Sequence, residues 1–125
     1  MAIVEVNSLN SGNGNSDFGP TPPRPVDLSH LSRQTMGDRA LETEILGMFA
    51  KQLNAALASL QKANGLERKR IAHTLKGTGR GVGAFALADI AERMERAPFD
   101  RAILAEIDTC ISKTCDFIAS LTRLS

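Results

Sequence analysis

An all-α fold, an antiparallel up-down four-helix bundle with a short extra N-terminal helix, is the architecture this sequence predicts. Three observations carry it. Of 125 residues 42% are hydrophobic but only 4% aromatic, with no Trp or Tyr, whereas sandwiches and barrels draw on aromatic and β-branched side chains. Ala, Leu, Arg and Glu dominate after residue 26, a mixture suited to helices packed through aliphatic groups. From Asp27 onward the apolar residues recur with a helical period rather than alternating.

Residues 1–25 stand apart. Asn10-Ser-Gly-Asn-Gly-Asn-Ser-Asp17 is polar and Gly-rich, and Pro20-Thr-Pro-Pro-Arg-Pro25 favours extended polyproline geometry. The expectation is a flexible leader, residues 1–25, ahead of one helical domain, residues 26–125. Docking of the short Ile3-Val4-Glu5-Val6 run is disfavoured. The first residues lack a basic segment and carry only that short apolar run, so a secretory signal is not expected.

Asp27 is the expected N-cap of a first helix that turns Leu28, Leu31 and Met36 inward. Gly37-Asp38 interrupts it and offers a new N-cap. The second helix is expected from Arg39 to Ala63, with Leu41, Ile45, Met48, Phe49, Leu53, Ala56, Leu57 and Leu60 on one broad stripe. Asn64-Gly65 is read as its left-handed C-cap. A third helix begins near Leu66, carries Leu66, Ile71, Leu75 and Val82 inward, and becomes rich in glycine at Gly77, Gly79, Gly81 and Gly83. The fourth runs from about Ala84 to Arg96 and stops before Pro98. The last starts at Asp100, where Phe99 and Leu104 stand at the positions of a hydrophobic staple. It continues through Ile103, Ile107, Cys110, Ile111, Ile118 and Leu121.

Charge and cysteine usage exclude several functions. Fifteen Lys/Arg against fourteen Asp/Glu leave +1, so there is no basic tail for nucleic acid and no acidic tract. No uncharged stretch approaches the ~20 apolar residues of a membrane span. Cys110 and Cys115 are turned about 140° apart on a helix, which suits neither a local disulfide nor a metal pair. Two reduced thiols lining a core, in a cytoplasmic protein, are expected.

Residues 71–84, Ile-Ala-His-Thr-Leu-Lys-Gly-Thr-Gly-Arg-Gly-Val-Gly-Ala, are where stability is spent on something other than packing. A helical Gly costs about 0.5–1 kcal/mol relative to Ala, and Gly77 comes well before the expected helix end. His73, Lys76 and Gly77 stand at i, i+3 and i+4, on one face, while Ile71, Leu75 and Val82 face elsewhere. An exposed imidazole is a nucleophile towards phosphorus. A cation one turn away binds phosphoryl oxygens, and a missing side chain admits a partner. Singly, each has a plainer explanation: a surface His, a solvated Lys, a packing Gly.

Together they resemble the histidine phosphotransfer (HPt) domain family. Its Ala-His-x-Leu-Lys-Gly signature followed by Gly-Ala stands here as Ala72-His73-Thr74-Leu75-Lys76-Gly77 and Gly83-Ala84. The resemblance covers roughly residues 27–124, with the Phe-containing helix before the motif and Leu87 after it. It implies that His73 is phosphorylated on Nε2, that Lys76 helps hold the phosphoryl group, and that Gly77 gives steric access.

Spacing adds Glu95. With a connection near Gly83-Ala84, His73 and Glu95 each lie about 15 Å from the turn of an antiparallel hairpin and are level. Ala84, Ala88, Ala91 and Glu95 form a stripe that lets the two helices approach. Glu95 is then within reach of His73 Nδ1–H, to fix the tautomer and leave Nε2 nucleophilic; the family often has Gln or Glu at this offset. The alternative, Glu95 paired with a neighbouring Arg in solvent, stays open.

Residues 67–80 set Arg68, Lys69, Arg70, Lys76 and Arg80 against Glu67, a local +4 that suits the carboxylate cluster of a receiver domain. Arg70 and Arg80 are the expected partner-binding residues, acting more on association rate than on affinity. A solvated basic face is the plainer reading of Arg68-Lys69-Arg70. Gly79-Arg-Gly-Val-Gly-Ala84 matches a dinucleotide fingerprint but lacks the preceding strand, and Lys76 precedes its glycines, unlike a P-loop lysine. His30 has no Lys-Gly companion and is expected to be a surface or packing residue.

The function expected is that of a stand-alone phosphorelay intermediate without an ATP-binding kinase module. The resemblance names response-regulator receiver domains as partners, with a hybrid sensor histidine kinase as donor. No cofactor is expected on this chain, and Mg²⁺ would come with the receiver. Neither nucleic acid nor membrane is an expected partner, and the chain is expected to be a monomer. The rivals are a helical adaptor that docks a receiver or kinase without phosphotransfer, and a phosphatase-type regulator, for which acidic or amide side chains near His73 are few.

Overall fold

Four of the five helices start on a side chain that takes up their free N–H groups. Asp27 Oδ1 accepts from His30 N at 3.1 Å, Asp38 Oδ1 from Leu41 N at 3.1 Å, and Asn64 Oδ1 from Glu67 N at 2.9 Å. Asp100 Oδ1 accepts from Ala102 N at 2.9 Å and Ile103 N at 3.2 Å. The computed structural model describes residues 24–124, so the expected leader, apart from Arg24 and Pro25, lies outside the described residues. These form α1 (Leu28–Gln34), α2 (Arg39–Leu60), α3 (Gly65–Val82), α4 (Phe85–Arg96) and α5 (Arg101–Leu124), and among them there is no strand.

The α2–α3 junction corrects the expectation of a left-handed cap at Asn64-Gly65. α2 ends three residues early, with Gln61 as its C-cap in right-handed geometry, and Asn64 is instead the N-cap of α3. Glu67 Oε1 accepts from Asn64 N at 3.1 Å, completing a reciprocal capping box that offers Asn64 more than an isolated turn would. Leu66, in the first turn of α3, is consequently 65% exposed instead of inward. On α2 the buried stripe is Leu46, Phe49, Leu53, Ala56 and Leu60, while Leu41 and Met48 face solvent. The stripe is narrower than expected and rotated towards Leu46.

Met36 is a second correction. It lies beyond α1 at φ +53 and is almost wholly exposed. Gly37 N donates to Ser32 O at 2.9 Å and Met36 N to Arg33 O at 3.4 Å, the paired bonds of a Schellman stop with Met where Gly is usual. Phe99, expected to staple onto Leu104, is 77% exposed, and its ring lies across Gly65. Cys110 and Cys115 are free and half-buried; burial pushes both thiols up from their ordinary value.

α2 touches α3 and α5, and α4 touches α3 and α5, so the four long helices close a cycle around one core. Leu53, Leu60, Leu75, Leu87, Met94, Ile107 and Ile111 are shut off from solvent, each worth about 1.5–3 kcal/mol of burial. Phe49 is the one buried aromatic among the described residues. α1 packs against α2 and α3. Just before it Val26 is buried and Asp27 N donates to Gly83 O at 2.9 Å. Gly83, at φ +95, closes α3; a Cβ there would lie 2.9 Å from Asp27 O. No helix among the described residues is long and apolar enough to cross a membrane.

Candidate functional site

α3 buries Ala72, Leu75 and Gly79, a stripe at i, i+3 and i+7. His73 and Lys76, each one residue further round, therefore lie beside that stripe, and Gly77 stands on the exposed side of the same helix. α4 buries Leu87, Ala88, Ala91 and Met94, which leaves Glu95 beside the α3–α4 seam. Closeness comes from Gly79: a Cβ there would stand 3.2 Å from Ala84 O and 3.4 Å from Ala88 Cβ. Gly79 and Gly83 thus face packed backbone, whereas Cβ positions on Gly77 and Gly81 would meet nothing within 4 Å.

Glu95 joins the site. Its Oε2 lies 2.8 Å from His73 Nδ1 and its Oε1 lies 2.7 Å from Lys76 Nζ. An ionised carboxylate only accepts hydrogen bonds, so Nδ1 carries the hydrogen and donates it. The neutral imidazole then has its lone pair on Nε2. The His73 side chain is 69% exposed against 20% for Glu95, so the carboxylate is sheltered while the ring is open. Glu95 is held below the usual carboxylate value, first by the hydrogen bond from Lys76 and next by that from His73, against a smaller opposing effect of burial.

The other expected residues fall into two groups. Arg80 Nη2 donates to Glu92 Oε1 at 2.5 Å, and Arg96 Nη2 to Glu92 Oε2 at 2.9 Å, so the charge of Arg80 is shared across α3–α4. Arg70 is exposed, makes no ion pair among the described residues, and borders a groove with Gln52, Ala55, Ser59 and Thr74. Gly77 is exposed and has open space above it. His30 is away from the site: its Nε2 donates to Gly81 O at 3.1 Å, and its ring meets Phe85 edge-on at 5.2 Å. It is a packing residue at the α3–α4 turn.

Sequence reasoning missed Glu92 and Arg96, which complete the floor of the site. Lys69, Lys76, Glu92, Glu95 and Arg96 line one shallow groove. The i, i+4 pair Glu92–Arg96 was the available signal, but nothing local reveals that Arg80 of α3 reaches the same carboxylate. Among the described residues there is no group of three or more His, Cys, Asp or Glu able to hold a metal ion.

A family model for the Hpt domain matches residues 44–116, more than half of the 125-residue chain. The chain belongs to the Hpt domain family, whose domains carry histidine phosphotransfer in two-component signalling and interact there with receiver domains and kinases. Comparisons with curated proteins and with solved structures gave no match.

Proposed function

We propose that this chain is a phosphorelay intermediate in which His73 Nε2 accepts a phosphoryl group from a receiver aspartyl phosphate, or from a kinase, and returns it to a response-regulator receiver. One observation carries the reading: an exposed imidazole whose Nδ1–H is fixed at 2.8 Å by a sheltered, ionised carboxylate, leaving Nε2 as the free nucleophile. Lys76 is the cation placed for the transferred oxygens, Gly77 the gap that admits the partner, and Arg70 and Arg80 the basic flank. The Mg²⁺ comes with the receiver, whose carboxylates suit it.

The closed cycle of helix contacts supports an antiparallel up-down arrangement of α2 to α5, within a domain spanning 26–125. We read the chain as a cytoplasmic monomer, with a hybrid sensor kinase as the upstream partner. The test is incubation with a phosphorylated receiver, scoring phosphate by its acid lability. Acid-labile label on the native chain and none on the His73→Gln variant is expected. Label retained by that variant overturns the assignment of His73. Binding without any label makes the chain a docking adaptor.

A further inference from the structure

We infer that Glu95, which spans His73 Nδ1 with one oxygen and Lys76 Nζ with the other, keeps the proton on Nδ1 of His73 after phosphorylation and so holds the phosphohistidine in its transferable state. The inference rests on the proposed phosphorylation of His73. The receiver step is balanced as follows. The Nε2 lone pair forms the N–P bond as the P–O bond of the aspartyl phosphate breaks, and that electron pair leaves on the carboxylate. The ring gains one positive charge, with hydrogen still at Nδ1. On onward transfer the N–P electron pair returns to Nε2. If Nδ1 has kept its proton, the leaving group is neutral imidazole. If the proton has been lost to solvent, it is imidazolate, a far poorer leaving group.

Which path operates depends on what faces Nδ1. The acceptor there is Glu95 Oε2 at 2.8 Å, a negative charge that favours the protonated, cationic ring. Its other oxygen is taken by Lys76 Nζ at 2.7 Å, and that bond is the largest cause holding the carboxyl below its ordinary value. Glu95 therefore accepts the hydrogen bond without taking the proton. The neighbouring charges do not replace it. On α4, Glu92 is engaged by Arg80 and Arg96. On α3, Lys69 and Arg70 are cations and favour proton loss. α2 brings Gln52, Ala55 and Ser59 to the groove beside Thr74, and α1 packs at the far end, on Gly83. Lys76 thus acts on the phosphoryl group through Glu95 as well as by direct attraction.

The experiment purifies the phosphorylated chain after receiver loading and follows loss of phosphate from about pH 6 to about pH 9. The native protein is expected to lose phosphate at a nearly constant rate across that range. Glu95→Gln, which keeps the shape and an acceptor oxygen but removes the charge, is expected to become about tenfold more persistent towards the alkaline end. A merely structural role for Glu95 would not change the shape of that profile. Superimposable profiles overturn the inference. Independently of any variant, the ¹⁵N spectrum of the native phosphoprotein at about pH 8 is expected to show a protonated Nδ1; an unprotonated Nδ1 overturns it as well. Phosphate absent from His73 in the native chain removes the proposed function itself, an outcome distinct from both.

Discussion

Gly77 shows how one residue separates stability from activity. It lies inside α3, it is exposed, and a Cβ there would meet nothing within 4 Å. Gly77→Ala is therefore expected to stabilise the fold by about 0.5–1 kcal/mol through helix propensity alone, and to slow phosphoryl acceptance by narrowing the gap through which the partner reaches His73. Thermal unfolding and the rate of transfer from a phosphorylated receiver check the two halves. His73, Lys76 and Gly77 were legible in the sequence because they are neighbours on one helix turn. Glu95 was legible only as one of two options. Counting rise per residue puts it level with His73, but it does not say whether a carboxylate turns to an imidazole or to an arginine. The structure adds what no spacing contains: both oxygens of Glu95 are used, one on His73 and one on Lys76.

At the scale of elements, the helix ends explain both the successes and the failures of sequence reasoning. Asp27, Asp38 and Asp100 cap where expected because each acts within its own first turn. Asn64-Gly65 misled because the same dipeptide suits a helix stop and a helix start, and Glu67 three residues on decides for the start. Met36 misled because its apolar side chain suggested burial, while the paired bonds of Gly37 and Met36 place it in left-handed backbone. Met36→Gly should relieve that strain and raise stability by up to about 1 kcal/mol, read from the urea midpoint. Gly83→Ala should do the reverse. It forces a side chain into φ +95 and against Asp27 O, at a cost of about 1–3 kcal/mol, and the same unfolding measurement would show it.

For the whole molecule, the near-neutral composition hides an ordered pattern of charge. Ion pairs join α3 to α4 through Glu92 and Glu95, and α4 to α5 through Arg93 and Glu106 at 2.6 Å. Glu95 and Glu106 are both held below the ordinary 4.5 of their carboxyls, by Lys76 and by Arg93 respectively. A carboxyl lowered in the folded state contributes stability above that ordinary value and loses it as pH falls through the lowered one. Stability is thus expected to be flat from neutral pH to about 4.5 with respect to these two groups and to decline below it. Glu106→Gln should remove part of the decline in an acid series of urea midpoints without altering phosphotransfer at neutral pH. The all-helical class was legible because composition and period reach over the whole chain. These cross-helix pairs were not, because they join residues far apart in sequence.

The bond from Asp27 N to Gly83 O has a consequence for how the domain is addressed. It pins the chain's point of entry to the closing turn of α3, ten residues from His73, or about 15 Å along the helix. Whatever is attached ahead of Val26 is delivered to that end of the bundle, and the length of the attachment sets its effective concentration over His73. A short tether would hold a partner beside the glycine-rich turn without letting it reach the imidazole. A longer one would make the encounter intramolecular, so that the anchor works as a ruler for delivery.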